Sequence, residues 1–218
     1  MGQVLAQLIP IALAVALSTV PITVTLFILL SERRKATALP FLSGWVIGTV
    51  AGLLLATLAA QALPGRPRQF ASLIDDLEIL TGSALVLYGA ATLFRNRRGA
   101  RPAAWIEGIG SLGPLAALGI GLALNLRPKA LLLVGAAALS ISGAPPGVDG
   151  KDTLILIVVY TAIATSTVVV PILGTLFFPD RMEPRLVAAR DSVSVHGPVV
   201  TAVVVIVVGV VVLAAGIV

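Results

Sequence analysis

The stretch LNLRPKALLL, residues 124–133, places a proline and two cations in the middle of a long apolar run. No charged residue occurs at positions 108–126 or 130–148 on either side of it. A cation at the centre of a bilayer costs about 2.5–3.5 kcal/mol on insertion scales, so Arg127 and Lys129 need a structural or functional reason. The proline between them lacks a backbone N–H and clashes with the preceding turn, which predicts a broken helix.

The whole chain has the composition of an integral membrane protein. Of its 218 residues, 58% are hydrophobic and 11% are charged, whereas soluble domains carry about 25% charged residues. A spanning helix needs about 20 apolar residues. We therefore predict an all-α, polytopic membrane protein whose single transmembrane domain, residues 1–218, has six transmembrane helices. These lie at about 4–30, 39–63, 73–94, 115–141, 153–178 and 198–218.

The basic residues alternate between the two sides of the membrane. The loops at 31–38, 95–113 and 179–197 carry ten lysines and arginines, and the two intervening loops carry three. Basic loops remain on the cytoplasmic side. We therefore expect these three loops inside and both termini outside.

The two prolines at the centres of the first and fourth spans suggest an internal repeat. Pro21 aligns with Pro128, and a small polar residue, Ser18 or Asn125, lies three positions before each. Each half, about 1–98 and 108–218, holds three spans, and an odd number forces the second half to be inverted. Inverted repeats with broken first and fourth helices are typical of secondary transporters, although proline kinks also occur in other membrane helices.

Arg127 and Lys129 lie two positions apart and would not share a face of an intact helix. If the helix unwinds at Pro128, both can reach one cavity and hold a phosphate, sulfate or carboxylate. Alternatively, they extend to an interface or pair with acids near the start of the third span. Two of those acids, Asp75 and Asp76, could form a proton-coupling pair or be the counter-ions of Arg127 and Lys129. They could also be ordinary acids at a helix N-terminus, where the helix dipole favours them, and we favour this interpretation.

Polar side chains near the prolines can bond the carbonyls that a broken helix leaves unpaired. Ser18, Thr19, Thr23 and Asn125 are the candidates, and Asn125 could equally be a plain interhelical hydrogen-bonding residue.

A glycine series in the second span predicts close helix packing. Gly44, Gly48 and Gly52 have small-xxx-small spacing. Trp45, within the series, is interpreted as an interfacial anchor.

Several classes of function are not expected. The chain has no cysteine, which excludes disulfide and thiol chemistry, and one histidine, His196, which excludes a histidine-rich metal site. We expect no cofactor, no metal and no nucleic-acid partner. We find no catalytic arrangement other than the Asp75–Asp76 pair, so we do not expect an enzyme.

With these residues identified, the chain resembles the lysine-exporter (LysE) superfamily, and most closely its branch of sulfolipid-addressing (Sap) and peptidoglycolipid-addressing (GAP) proteins. The resemblance rests on LLSERRKATALPFLSGWVIG at 29–48, on NLRPKALLL at 125–133 with AAALSIS after it, and on the two three-span halves. The superfamily's Asn-Pro-Lys signature is interrupted here, because Leu126 and Arg127 separate the asparagine from the proline.

The resemblance implies an exporter in a bacterial plasma (inner) membrane that moves envelope glycolipids or other amphiphiles. We expect an anionic amphiphile, a glycolipid or phospholipid, to be moved by alternating access between the two halves. Export of amino acids or other small solutes, and an accessory role beside a larger lipid exporter, are the alternatives. Glycine-rich faces would permit a homodimer. The expected substrate-binding residues are Ser18, Thr19, Pro21, Asn125, Arg127, Pro128 and Lys129.

Overall fold

The computed structural model describes residues 2–62, 68–96, 112–142 and 150–217, and within these ranges every regular element is a helix. A 3₁₀ turn, Leu124–Leu126, joins the fifth and sixth α-helices. The α-helices are α1 (Gly2–Ala16), α2 (Thr19–Leu29), α3 (Arg34–Ala62), α4 (Arg68–Asn96), α5 (Pro114–Ala123), α6 (Pro128–Ser142), α7 (Gly150–Phe177) and α8 (Pro179–Ile217).

The apolar helices are those of a membrane-embedded protein. By length and composition, α3 and α7 can each cross a bilayer. The α1–α2 pair, bent by 45°, and the pair formed by α5 with its 3₁₀ turn and α6, bent by 63°, can each form one further span. Both predicted breaks are therefore present, while the count of six spans remains a prediction.

The first break lies before Pro21 and not at it. Leu17 and Ser18 separate α1 from α2; Ser18 has extended backbone (φ −69°, ψ 119°), and α2 begins at Thr19. Pro21 thus lies in the first turn of α2, where its missing N–H would have no intrahelical partner in any case. At the second break the proline begins α6, as its fixed φ favours.

The sixth predicted span is the C-terminal part of a longer helix. Residues 179–197, predicted as a loop, form the first half of α8, which continues to Ile217. A straight helix of 39 residues is about 58 Å long, and the hydrocarbon core is about 30 Å thick. An upright α8 would therefore extend well beyond the core.

The helix packing brings the two halves of the chain together. The α1–α2 pair packs against α7 and α8, and the α5–α6 pair packs against α3 and α4. The α4–α8 contact is the most extensive, and glycines allow it: a Cβ on Gly82 would lie 2.8 Å from the Gly209 carbonyl oxygen.

The predicted glycine packing of α3 is confirmed at two of its three positions. A Cβ on Gly44 would collide with the Leu118 carbonyl oxygen of α5, and one on Gly48 would lie 2.5 Å from Asn125 Nδ2. Gly52 faces open space. Trp45 is 1% exposed and packs within the protein, so it is not the exposed interfacial anchor that was predicted.

Candidate functional site

The first break is closed by two threonines from the second half of the chain. Thr167 of α7 donates a hydrogen bond of 2.6 Å to the Ala16 carbonyl oxygen. Thr201 of α8 donates to the Leu17 carbonyl oxygen at 2.8 Å. The same hydroxyl accepts the Thr19 N–H at 3.2 Å and lies 2.6 Å from Thr19 Oγ1. Backbone groups freed by the break are thus bonded within the protein, as a lipid environment demands.

Two other threonines of α2 bond their own helix. Thr23 Oγ1 donates to the Thr19 carbonyl oxygen at 2.7 Å, and Thr25 Oγ1 donates to the Pro21 carbonyl oxygen at 2.8 Å. Ser18 is buried at the N-cap position but makes no capping hydrogen bond with its side chain. The predicted local bonding is therefore confirmed for Thr23, while Thr25 was not singled out from the sequence.

Asn125 connects the second break to α3. Its Oδ1 accepts a hydrogen bond of 3.1 Å from Thr49 Oγ1, and its Nδ2 donates to the Gly121 carbonyl oxygen at 3.1 Å. Nδ2 also lies 3.5 Å from the Trp45 carbonyl oxygen. Asn125 therefore makes the interhelical hydrogen bond that one of its two interpretations predicted. A substrate-binding role for it stays a prediction.

The two cations of the second break have different surroundings. Arg127 has extended backbone (φ −72°, ψ 147°), is half-buried, and donates from Nε to the Leu124 carbonyl oxygen at 3.1 Å. Lys129, in the first turn of α6, is 8% exposed. Its Nζ is buried and has no hydrogen-bond partner among the residues that the structure describes.

The electrostatic environment of these cations lacks a counter-charge in the described ranges. No described carboxylate lies within 4.0 Å of either cation. Asp76 of α4 is exposed and forms no ion pair with them, and the Asp75 side chain lies outside the described residues. The N-terminus of α6 adds its own positive end to the same place. This arrangement can hold an anion.

The structure also shows a correspondence between the breaks that the sequence analysis missed. Each break accepts or donates a hydrogen bond with a threonine of a long helix in the other half of the chain. At the first break this is Thr167 of α7, and at the second break it is Thr49 of α3. Packing of α1 against α6 brings the first break's helix beside the helix that carries Lys129. In the sequence, each of these residues is only a threonine inside an apolar run, which does not indicate a bond to a distant break.

Comparison with known proteins gives a family for the chain. No curated protein and no solved structure was found to match it. A family model described as "Sap, sulfolipid-1-addressing protein" matches residues 8–218, nearly the whole chain. That range includes both breaks, the basic segment after α2, and Arg127 and Lys129. The chain therefore belongs to the sulfolipid-1-addressing protein family.

Proposed function

We propose that this protein moves an anionic amphiphile, a glycolipid or phospholipid, across or out of the membrane, with the headgroup bound at the second break. The observation that carries the proposal is Lys129, whose ammonium is buried without a hydrogen-bond partner among the described residues. The name of the family, which refers to a sulfolipid, also favours a lipid substrate.

An anionic headgroup would remove an electrostatic cost that the protein otherwise bears. An unpaired buried ammonium loses several kcal/mol of hydration free energy. A phosphate or sulfate at this position would pair with Lys129 as a point charge, and Arg127 offers a planar set of donors for two of its oxygens. The N-terminus of α6 would add further stabilisation.

The surface beside the second break favours a lipid over a water-soluble substrate. Leu126, immediately before Arg127, is 71% exposed, and Leu131, one turn after Pro128, is 52% exposed. In a membrane these side chains contact lipid. A headgroup could therefore reach the cations sideways from the bilayer while its acyl chains stay among the surrounding lipids. Amino acids would need an aqueous opening instead.

Alternating access between two inverted halves is the mechanism that we propose for the movement. Each broken span packs against helices of the opposite half, and a threonine of that half bonds each break. Such exchanged packing is expected of inverted repeats that surround a central site. In this arrangement six spans place both termini outside a bacterial plasma membrane, and an ion gradient or a partner supplies the energy.

Native mass spectrometry of protein extracted gently from its own membrane tests the proposal. The variant Arg127→Ala/Lys129→Ala should retain co-purified anionic lipid at least about 10-fold less than wild type, because each charge-assisted hydrogen bond contributes about 1.5–3 kcal/mol. The matched control, Arg181→Ala/Arg185→Ala, removes two exposed cations of α8 and should retain lipid as wild type does.

Equal retention by wild type and the Arg127→Ala/Lys129→Ala variant would contradict the proposed site. That outcome would favour an exporter of small solutes or an accessory protein. A Lys129→Arg variant adds a second test, because it keeps the charge and should keep most of the bound lipid. Loss of lipid in both double variants would also count against the proposal, since it would show no preference for the break.

A further inference from the structure

A cavity lies where the ends of α2 and α7 meet the starts of α3 and α8. Its volume is about 260 Å³, below the roughly 300–1,000 Å³ of pockets that enclose a whole drug-sized ligand. It belongs to the face that carries the basic loops, which is the predicted cytoplasmic face. The lining residues are Leu29, Arg34, Lys35, Ala38, Thr175, Leu176, Pro179 and Asp180.

The cavity is lined by positive and negative side chains that do not pair with each other. Lys35 and Asp180 both line it, yet neither forms a salt bridge within the described parts of the chain. Arg34 pairs through one nitrogen with Glu183 at 3.4 Å, longer than the 2.7–2.9 Å of a strong charge-assisted bond. Because this pair is partly exposed to solvent, it contributes at most about 1 kcal/mol. The Arg34 guanidinium can therefore turn to another anion at little cost.

We infer that this cavity binds the headgroup of a zwitterionic phospholipid that carries a primary ammonium. The phosphate would bond to Lys35 and Arg34, and the ammonium would bond to Asp180. The Thr175 hydroxyl, which donates to the Pro171 carbonyl oxygen at 2.7 Å, retains lone pairs that can accept from the same ammonium. A purely anionic headgroup would leave Asp180 facing a like charge.

The apolar surroundings suit a lipid at this position. Leu29 and Leu176 form part of the wall. Phe177 and Phe178, at the end of α7, are 71% and 62% exposed and can contact acyl chains near the headgroup level. A free phosphoethanolamine would gain none of these apolar contacts.

This site is separate from the proposed site at the second break, and its binding does not depend on transport. Along α3, about 21 Å of helix separates Lys35 of the cavity from Thr49, which bonds Asn125 at the second break. A protein that bound a lipid here without moving any lipid would still satisfy the inference.

Native mass spectrometry of the full chain tests it in the Arg127→Ala/Lys129→Ala variant, which lacks the anion site proposed at the second break. The protein is delipidated in detergent and titrated with single lipids. The probes are phosphatidylethanolamine, phosphatidylcholine, which has no N–H donor, and phosphatidylglycerol, which has no ammonium. We expect at least 10-fold tighter binding of phosphatidylethanolamine than of the other two. Asp180→Asn should reduce that preference by about 10-fold, and Lys35→Gln should weaken phosphatidylethanolamine and phosphatidylglycerol alike.

Matched controls remove the same charges elsewhere. Asp76→Asn alters an exposed acid of α4, and Lys151→Gln alters an exposed lysine at the opposite end of α7; both should leave lipid binding unchanged. Equal binding of phosphatidylethanolamine and phosphatidylglycerol, with no effect of Asp180→Asn, would overturn the inference in favour of a simple anion site. Binding of free phosphoethanolamine as tightly as the lipid would overturn the apolar part of the argument.

Discussion

Replacing Thr201 by valine should destabilise the protein far more than an exposed threonine replacement, because it removes a set of hydrogen bonds at the first break. The Thr201 hydroxyl donates to the Leu17 carbonyl oxygen, accepts the Thr19 N–H, and shares a third hydrogen bond with Thr19 Oγ1. Valine keeps the shape of the side chain and removes all three bonds. The backbone groups at the break would then lack a partner on α8.

The size of the effect follows from the number of bonds. Hydrogen bonds in membrane proteins contribute about 0.6 kcal/mol on average, and about 1 kcal/mol is usual in proteins generally. Losing three bonds should therefore lower the free energy of unfolding by about 2–3 kcal/mol. Thr167→Val removes the single bond to the Ala16 carbonyl oxygen and should lower it by about 0.6–1 kcal/mol.

The measurement is equilibrium unfolding in mixed micelles with increasing SDS, followed by far-UV circular dichroism. Thr92→Val is the matched control, because Thr92 is on α4 and its hydroxyl bonds only within its own helix at an exposed position. It should change the free energy by less than about 0.5 kcal/mol. Thr201→Ser should recover most of the lost stability. If Thr201→Val and Thr92→Val were equally mild, the threonine would not be what holds the break.

Two further predictions concern the contact between α3 and the 3₁₀ turn at the second break. Gly48→Ala should lower the free energy of unfolding by about 1–3 kcal/mol, because a Cβ there would lie 2.5 Å from Asn125 Nδ2. Gly52 faces open space, so Gly52→Ala should leave the free energy of unfolding unchanged or raise it by up to about 1 kcal/mol. Equal unfolding curves for the two variants would show that the contact is looser than described. Asn125→Ala should cost about 1–3 kcal/mol, and a double-mutant cycle with Thr49→Val should give a coupling energy of about 0.6–1.7 kcal/mol. Strict additivity in that cycle would contradict a direct bond between the two side chains.

The sequence predicted the breaks but not their exact position, for a physical reason. Pro10, Pro40 and Pro171 lie inside α1, α3 and α7 without ending them. A proline disrupts the turn before it, yet it is tolerated in the first turn of a new helix. The second break therefore lies next to Pro128, while the first lies three residues before Pro21.

The candidate site was predictable only where a residue is unusual in a membrane. Arg127 and Lys129 stand out, because cations inside an apolar run are costly. Thr167 and Thr201 do not, because threonine is common in spanning helices, and their partners at Ala16 and Leu17 are distant in sequence. Such pairings depend on how the helices pack.

Hydropathy identified the apolar part of α8 but not its start. Residues 179–197 carry three arginines and follow the fifth apolar run, so the pattern predicts a loop that could lie at the membrane interface. A helix needs no apolar face where it leaves the hydrocarbon, and hydropathy therefore does not separate an exposed helix from a loop. The same limit left Asn125 with two interpretations, since an amide can bond either a neighbouring helix or a ligand.

The continuity of α8 has a mechanical consequence. Glu183, which is tied to Arg34, and Thr201, which bonds the first break, lie about 27 Å apart along one continuous helix. Gly197 and Pro198 lie between them, and a proline inside a helix lacks the N–H of one backbone hydrogen bond and favours bending at that point. A displacement of the surface end of α8 would therefore reach the interior break through a helix that can bend three residues before Thr201.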